Sequence, residues 1–295
     1  MAIAGINEEN MRAGTFLNGR LYWQTEVVYK NGDRFLGCFK DGRANGYGTL
    51  KYNYSLPVSH DAEPDQVEEA EYKGGFNAGK RDGFGSMTWT DGSFFKGQWR
   101  CGQRHHGQML LSGGQWCYRG GFRDDRPHGV DCLLLLATGI VFQGNFNRGV
   151  CAALGKLLYP NGDMYYGQHR EFAKEGVGKM VYLDGTVYEG FWETDRKSGQ
   201  GRLVYATTGN VYVGEFVDGK RSGRGRFYNA VDQTIYDGEW DQDRRQGEGT
   251  ILSKEGQIAS GDFRADHMEG KLTYQRTLGA AETERVFTMI KCQRD

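Results

Sequence analysis

The stretch Tyr212-Val213-Gly214-Glu215-Phe216-Val217-Asp218-Gly219-Lys220-Arg221-Ser222-Gly223-Arg224-Gly225 decides the fold, because the chain repeats it along most of its length. Its first glycine recurs as Gly14, Gly37, Gly74, Gly97, Gly120, Gly144, Gly167, Gly190, Gly214, Gly238 and Gly261. Two residues after each comes an aromatic: Phe16, Phe39, Phe76, Trp99, Phe122, Phe146, Trp192, Phe216, Trp240 and Phe263, with His169 the one break. The spacing is 23 or 24 residues apart from the jump between Gly37 and Gly74. A fixed period of that size marks a repeat array, which binds along its length rather than in one pocket.

In a strand, residues two apart share a face. Tyr188, Gly190 and Trp192 therefore lie together, as do Gly199, Gly201, Leu203 and Tyr205 on the next strand. An apolar residue recurs beyond each glycine pair: Leu50, Met87, Leu157, Met180, Leu203, Phe227 and Ile251. Each unit reads as two short strands joined by a turn, with rings on one side. The glycines leave room for a ring from the neighbouring hairpin to lie flat over the backbone. A lone hairpin is marginal in water, so the units must stack. The expected fold is all-β: an elongated single-layer sheet of about eleven stacked antiparallel hairpins. Residues 1–11 read as a tail and 12–270 as the array, one domain. Residues 271–295 read as a capping hairpin or a short helix.

Two kinds of turn alternate. Asn31-Gly32, Asp91-Gly92, Asn161-Gly162 and Asp184-Gly185 are strong hairpin signals, because these dipeptides accept positive φ. The other set reads as longer and basic: Arg43, Lys80-Arg81, Arg104, Arg126, Lys174, Arg196-Lys197, Lys220-Arg221 and Arg244-Arg245. Stacked in register, these cations would form one charged edge.

The pattern Y-x-G-x-F/W-x-x-G-x-x-x-G-x-G resembles the MORN repeat. Tyr72 through Gly74, Phe76, Gly79, Gly83 and Gly85 carries it in full, as do Tyr212 through Gly214, Phe216, Gly219, Gly223 and Gly225. Arg12 and Ala259 replace the opening aromatic in the first and last units, as expected of caps. In the unit from Tyr118, Asp131 stands for the second glycine of the pair. The unit from Phe95 has His106 and Gln108 where the two glycines belong, so a bulge or shift is expected there. The period is interrupted at 53–70, an acidic insert with Pro57 and Pro64 that reads as a solvated loop or a partner-docking loop.

Bulk properties exclude several classes of function. The net charge is −1, so bulk electrostatics make no case for nucleic acid. Cys38, Cys101, Cys117, Cys132, Cys151 and Cys292 form no CxxC pair and read as reduced thiols in the cytoplasm. The longest apolar run, Cys132 to Ala137, is far short of a membrane span. Gly74 to Arg81 and Gly214 to Arg221 read G-x-x-x-x-G-K-R, lacking the Ser or Thr of a P-loop. His105-His106 has no second ligand pair at metal spacing. His169 reads as a packing histidine or a pH-sensitive contact. No nucleophile, acid–base pair, cofactor site or metal site is expected, and no enzyme.

Three readings of function follow. The resemblance implies a cytoskeletal scaffold, such as a radial-spoke-like component of the cilium or flagellum axoneme. It would bind a helix or extended segment of a partner protein along the repeat surface, with self-association also compatible. The structural residues would be Phe39, Phe76, Trp99, Phe122, Phe146, Trp192, Phe216 and Trp240, together with Gly37, Gly74, Gly97, Gly144, Gly167, Gly190, Gly214 and Gly238. The second reading is a membrane-surface module that meets anionic lipid through Lys80, Arg81, Arg196, Lys197, Lys220, Arg221, Arg244 and Arg245. The third is an adaptor or regulator of a motor or enzyme.

Overall fold

The computed structural model describes residues 11–13, 16–17, 20–21, 25–53, 69–111, 116–279 and 281–283. Most of the N-terminal tail, the body of the acidic insert and the segment Arg285 to Lys291 lie outside the described residues. The chain divides into two compact units, Met1–Ala152 and Ala153–Asp295.

In the first unit the strands Thr25–Tyr29, Arg34–Lys40, Arg43–Lys51, Glu69–Asn77, Lys80–Trp89, Phe94–Arg100, Gln103–Leu110, Trp116–Arg123, Gly129–Leu136 and Val141–Asn147 each pair antiparallel with the next. The second unit continues the plan from Met164–Arg170 and Ala173–Val181 to Gln257–Arg264 and His267–Thr277. The expected all-β architecture of stacked antiparallel hairpins is thus the one observed. A helical turn at 281–283 follows the last strand.

The glycines form a ladder. Gly37 faces Gly48, Gly74 faces Gly85, Gly190 faces Gly201, Gly214 faces Gly225 and Gly238 faces Gly249. The ring over each pair comes from the same strand, two residues before the first glycine, and not from the neighbouring hairpin. A Cβ on Gly201 would lie 2.5 Å from the Tyr188 hydroxyl, and one on Gly190 would lie 2.6 Å from that oxygen and from the Gly201 Cα. In a flat single layer a ring can bury itself only by folding back along its own strand, so both glycines beneath it must stay bare. The other recurring glycine of the regular units does something different. Gly176, Gly199, Gly223 and Gly247 sit at positive φ of 57–66° beside a register shift. They lie in bulges that give one strand two more residues than its partner.

The irregular units resolve in opposite directions. Gly107 faces Gly97, so the strand from Gln103 has slipped by one residue and restores the glycine that His106 and Gln108 displace in sequence. In the next hairpin Leu133 faces Arg119 and Leu134 faces Tyr118, which puts Cys132, not Asp131, opposite Gly120. Asp131 takes positive φ as the extra bulge residue. The buried Cys132 Sγ accepts the Tyr118 hydroxyl at 3.0 Å.

The turns are also reversed in length from expectation. The two-residue loops lie between Lys40 and Arg43, between Asn77 and Lys80 and between Val217 and Lys220. Both of their residues take positive φ, as in Asp218 and Gly219 at 51° and 85°. That is the type I′ geometry. The basic residues are not in these loops but open the strands after them. The Asn-Gly set is the longer one. Gly32 N donates to Tyr29 O, Tyr29 N donates to Asp33 O, and the Asn31 carboxamide oxygen caps Asp33 N, so only Gly32 turns left-handed.

The glycines therefore differ in what they tolerate. Gly201→Ala is expected to cost about 1–3 kcal/mol by forcing the Tyr188 ring off the ladder. Gly261→Ala should fall within about 0.5 kcal/mol, because the opening residue of that unit is Ala259 and the nearest atoms a Cβ would meet belong to Met268, at 3.4 Å. Urea unfolding midpoints of the two variants check this; equal losses would refute the role given to the ring.

Candidate interaction surfaces

One face of each sheet is closed by rings. In the first unit Phe35, Tyr72, Phe95, Tyr118 and Phe142 are fully buried. In the second unit Tyr165, Tyr188, Tyr212 and Tyr236 take the same place. Apart from Tyr165, each meets the aromatic four residues on and, in most cases including Tyr165, the equivalent aromatic of the following repeat, edge to face. Tyr188 touches Trp192 at 5.1 Å and Phe216 at 5.0 Å, and Tyr212 touches Phe216 at 5.1 Å and Trp240 at 5.4 Å. Phe35, Phe39, Phe76, Trp99, Phe122 and Phe146 belong to the same zigzag in the first unit. Edge-to-face contacts add to area burial, about 0.5–1.5 kcal/mol a pair. His169 is buried in the aromatic position and stacks on Phe172 at 5.5 Å.

The phenols are satisfied locally. Tyr72, Tyr118, Tyr165, Tyr188, Tyr212 and Tyr236 each donate to the carbonyl three residues on, at 2.6–2.9 Å. Burial pushes their ionisation upward, Tyr236 to about 12, with Arg245 pulling the other way. The indoles of Trp99, Trp192 and Trp240 donate to the carbonyls of Gly85, Gly178 and Gly225.

The charged edge expected from the sequence is only half present. The second cation of each pair folds inward onto the rings. Arg81 lies 4.4 Å from the Trp99 ring and Arg221 4.3 Å from Trp240, while Lys174 and Lys197 cover Trp192 and Phe216, and Arg245 covers Phe263. A turn aspartate of the next unit then clamps several of them. Arg104, Lys174, Arg221 and Arg245 meet Asp125, Asp195, Asp243 and Asp266 through side chain and backbone nitrogen together. Burial disfavours the charge of Asp195, but the Lys174 bonds outweigh it and hold the carboxyl below its ordinary value. Burial, helped by Arg221 and opposed by Asp243, lowers Lys197. Lys80, Arg196, Lys220 and Arg244 stay exposed, although Arg196 meets Asp218 at 3.0 Å and Lys220 meets Gln242 at 2.6 Å.

The opposite face is open, and sequence reading passed over it. In the first unit Tyr47 and Phe84 are 70% and 72% exposed. They flank an open groove of about 680 Å³ that Lys73, Lys96, His106 and Arg119 also line. The signal was available in the residue just before the second glycine, which reads Tyr47, Phe84 and His106 in this unit. In the second unit part of that face is closed by an apolar cluster of Val211, Tyr228, Ile235 and Leu252. Among the described residues no group of three or more His, Cys, Asp or Glu could hold a metal ion.

The family model for the MORN repeat matches residues 35–53, 72–94, 95–105, 118–130, 142–164, 188–209, 212–230 and 236–258, just over half of the chain. The chain belongs to the MORN-repeat family. Its MORN region is similar to alsin of Homo sapiens and of Pan troglodytes, each 28% identical over 165 residues. That match takes in 52% of this chain and 9% of alsin, so the chain spans about a tenth of the length of these relatives. Among solved structures, the TCP10 domain of Danio rerio CPAP in complex with a STIL peptide aligns with 90% of this MORN chain and 98% of its own, at 14% identity and a TM-score of 0.38. The SAS-4 TCP domain of Drosophila melanogaster, in complex with a proline-rich motif of Ana2, aligns with 71% and 99%, at 12% identity and a TM-score of 0.33.

Two outcomes test this arrangement of the MORN core. A raised phenol pKa means the neutral form is favoured in the fold. Tyr236 therefore contributes stability fully present below pH 10, lost as pH rises from about 10 to about 12. Tyr236→Phe should cost about 1 kcal/mol at neutral pH and flatten the alkaline limb of a stability-versus-pH curve. An unchanged alkaline slope would count against a buried phenol. Arg221→Met should cost about 1–3 kcal/mol, more than Lys220→Met, in chemical denaturation. Comparable losses at both would mean that Arg221 is an ordinary solvated cation.

Proposed function

We propose that this MORN-repeat chain is a non-enzymatic scaffold that holds a segment of another protein on the open face of its first unit. The observation that carries this is the exposure of Tyr47 and Phe84 on a sheet whose other face is filled by rings. Large apolar side chains displayed together on a rigid backbone are the anchor points of protein interfaces. The array supplies the rigidity, since strands are hydrogen-bonded on both sides and turns are clamped to their neighbours. The partner we favour is cytoskeletal, in keeping with the resemblance to axonemal MORN proteins, and the place of action is the cytoplasm at a cilium or flagellum.

The membrane reading has less to stand on. Lipid attraction scales with free cations, at about 1 kcal/mol each near an anionic surface. Arg81, Lys197, Arg221 and Arg245, half of the cations proposed for that role, are folded onto rings.

Tyr47→Ser/Phe84→Ser leaves the core untouched and separates the readings. Pull-down from ciliated-cell lysate should recover axonemal proteins with the natural chain and lose them with the double variant. Vesicles of phosphatidylcholine with phosphoinositide should not sediment it at moderate salt. Sedimentation that Lys80→Glu/Arg244→Glu abolishes would overturn the scaffold reading in favour of the lipid one.

A further inference from the structure

The open face of the first unit is patterned in two rows that cross the strands. Antiparallel register places Lys73 opposite Ser86, Ser86 opposite Lys96, Lys96 opposite Gln108 and Gln108 opposite Arg119. This first row therefore carries a cation on every second strand. The second row runs from Tyr47, opposite Gly75, through Phe84 and Gln98 to His106 and Gly121.

The gaps in the second row are forced. A Cβ on Gly75 would lie 2.1 Å from Asp82 O, and one on Gly121 would lie 2.5 Å from His128 O. Both bulges need bare backbone there, so Tyr47 and Phe84 stand on strands either side of a floor without side chains. Among the described residues no carboxylate lines the groove. Glu71, two residues from Lys73 on the same strand, is tied to Lys51 and Lys73.

We infer that this groove binds an extended acidic segment of a partner protein, with carboxylates three residues apart meeting Lys96 and Arg119 and an apolar side chain seated between Tyr47 and Phe84. The inference rests on the scaffold reading and names its ligand. The spacing argument is geometric. Cations on alternate strands are about 9–10 Å apart at the usual strand separation. Carboxylates at i and i+3 of a segment in the polyproline II conformation, three residues per turn at about 3.1 Å each, share one side and are also about 9 Å apart. The groove crosses the strands from Tyr47 to Arg119, about 24 Å over five strand spacings, which accommodates a segment of about seven residues. The segment runs across the strands, so it cannot add itself as a further strand. Its side chains and charges must carry the affinity.

Selection from a displayed library of random short peptides, with the full chain as bait, tests this. Enriched peptides should carry Asp or Glu at i, i+3 spacing and at least one large apolar residue. A selected peptide, fluorescein-labelled, should lose at least about tenfold in affinity with Lys96→Glu/Arg119→Glu. It should weaken with rising salt. Tyr47→Ser/Phe84→Ser should weaken it while leaving the melting curve unchanged. Enriched peptides of neutral or basic composition, or acidic ones that bind Lys96→Glu/Arg119→Glu equally well, would overturn the inference and leave the scaffold reading standing. Concentration-dependent self-association abolished by the same charge reversal would replace the peptide with a second copy of this chain. Failure to enrich any peptide would remove the inference, and only loss of lysate partners as well would remove the scaffold.

Discussion

A ring laid over two facing glycines is the contact on which the rest of this protein depends. A single-layer sheet has no second layer to bury its side chains, which ordinarily makes such a sheet unstable in water. Here Tyr188 or Tyr212 buries itself against its own backbone, and the glycine pair beneath is the condition for doing so. The ring then presents an edge to the aromatic four residues on and another to the aromatic of the next repeat. Burial of the phenol in turn needs an acceptor, and the carbonyl three residues on supplies it. Strand register, ring packing and hydroxyl satisfaction are one problem with one solution, repeated.

The cations complete that solution. Rings packed edge to face on an open surface still show their faces to water on one side. Arg221 over Trp240 and Lys174 over Trp192 cover them with alkyl stem and charge. The covering group is then held by an aspartate that the following repeat places in its two-residue turn. Asp243 takes a left-handed conformation, which glycine would adopt more easily, and its carboxylate binds both the backbone and the side chain of Arg221. The near-zero net charge of the chain thus reflects paired charges built into the repeat and not merely a mixture on a solvated surface.

The fold was legible in the sequence because period, glycine and aromatic all report the same contact. What was not legible followed from backbone conformations that side-chain patterns do not encode. Asn31-Gly32 looks like a type I′ turn, yet cross-turn hydrogen bonds make it a longer loop in which only the glycine is left-handed. The tighter turns include Ala78-Gly79 and Cys101-Gly102, whose first residues give no such signal. Slips of one residue moved Gly107 into the ladder and exchanged Asp131 for Cys132, and no count along the chain distinguishes a slip from a substitution. Arg81 and Lys220 look alike in sequence, but one starts on the ring side of its strand and the other on the outside. Strand alternation would have separated them had the turn length been right.

That alternation also explains where individuality can reside. On the ring side the position above a glycine pair is bound by the glycine contact and takes another ring, as Phe95 and Phe142 show in place of tyrosine. On the outer side, away from the Val211, Tyr228, Ile235 and Leu252 cluster, the constraints are strand propensity and bare backbone at bulges such as Gly75. The residue before the second glycine is consequently free, and it changes from Tyr47, Phe84 and His106 in the first unit to Leu154, Val177, Gln200, Arg224 and Glu248 in the second. Exposed aromatics at two such positions have no role in holding the sheet together. A feature the fold does not require, placed where the fold is rigid, is best explained by what it touches outside the chain.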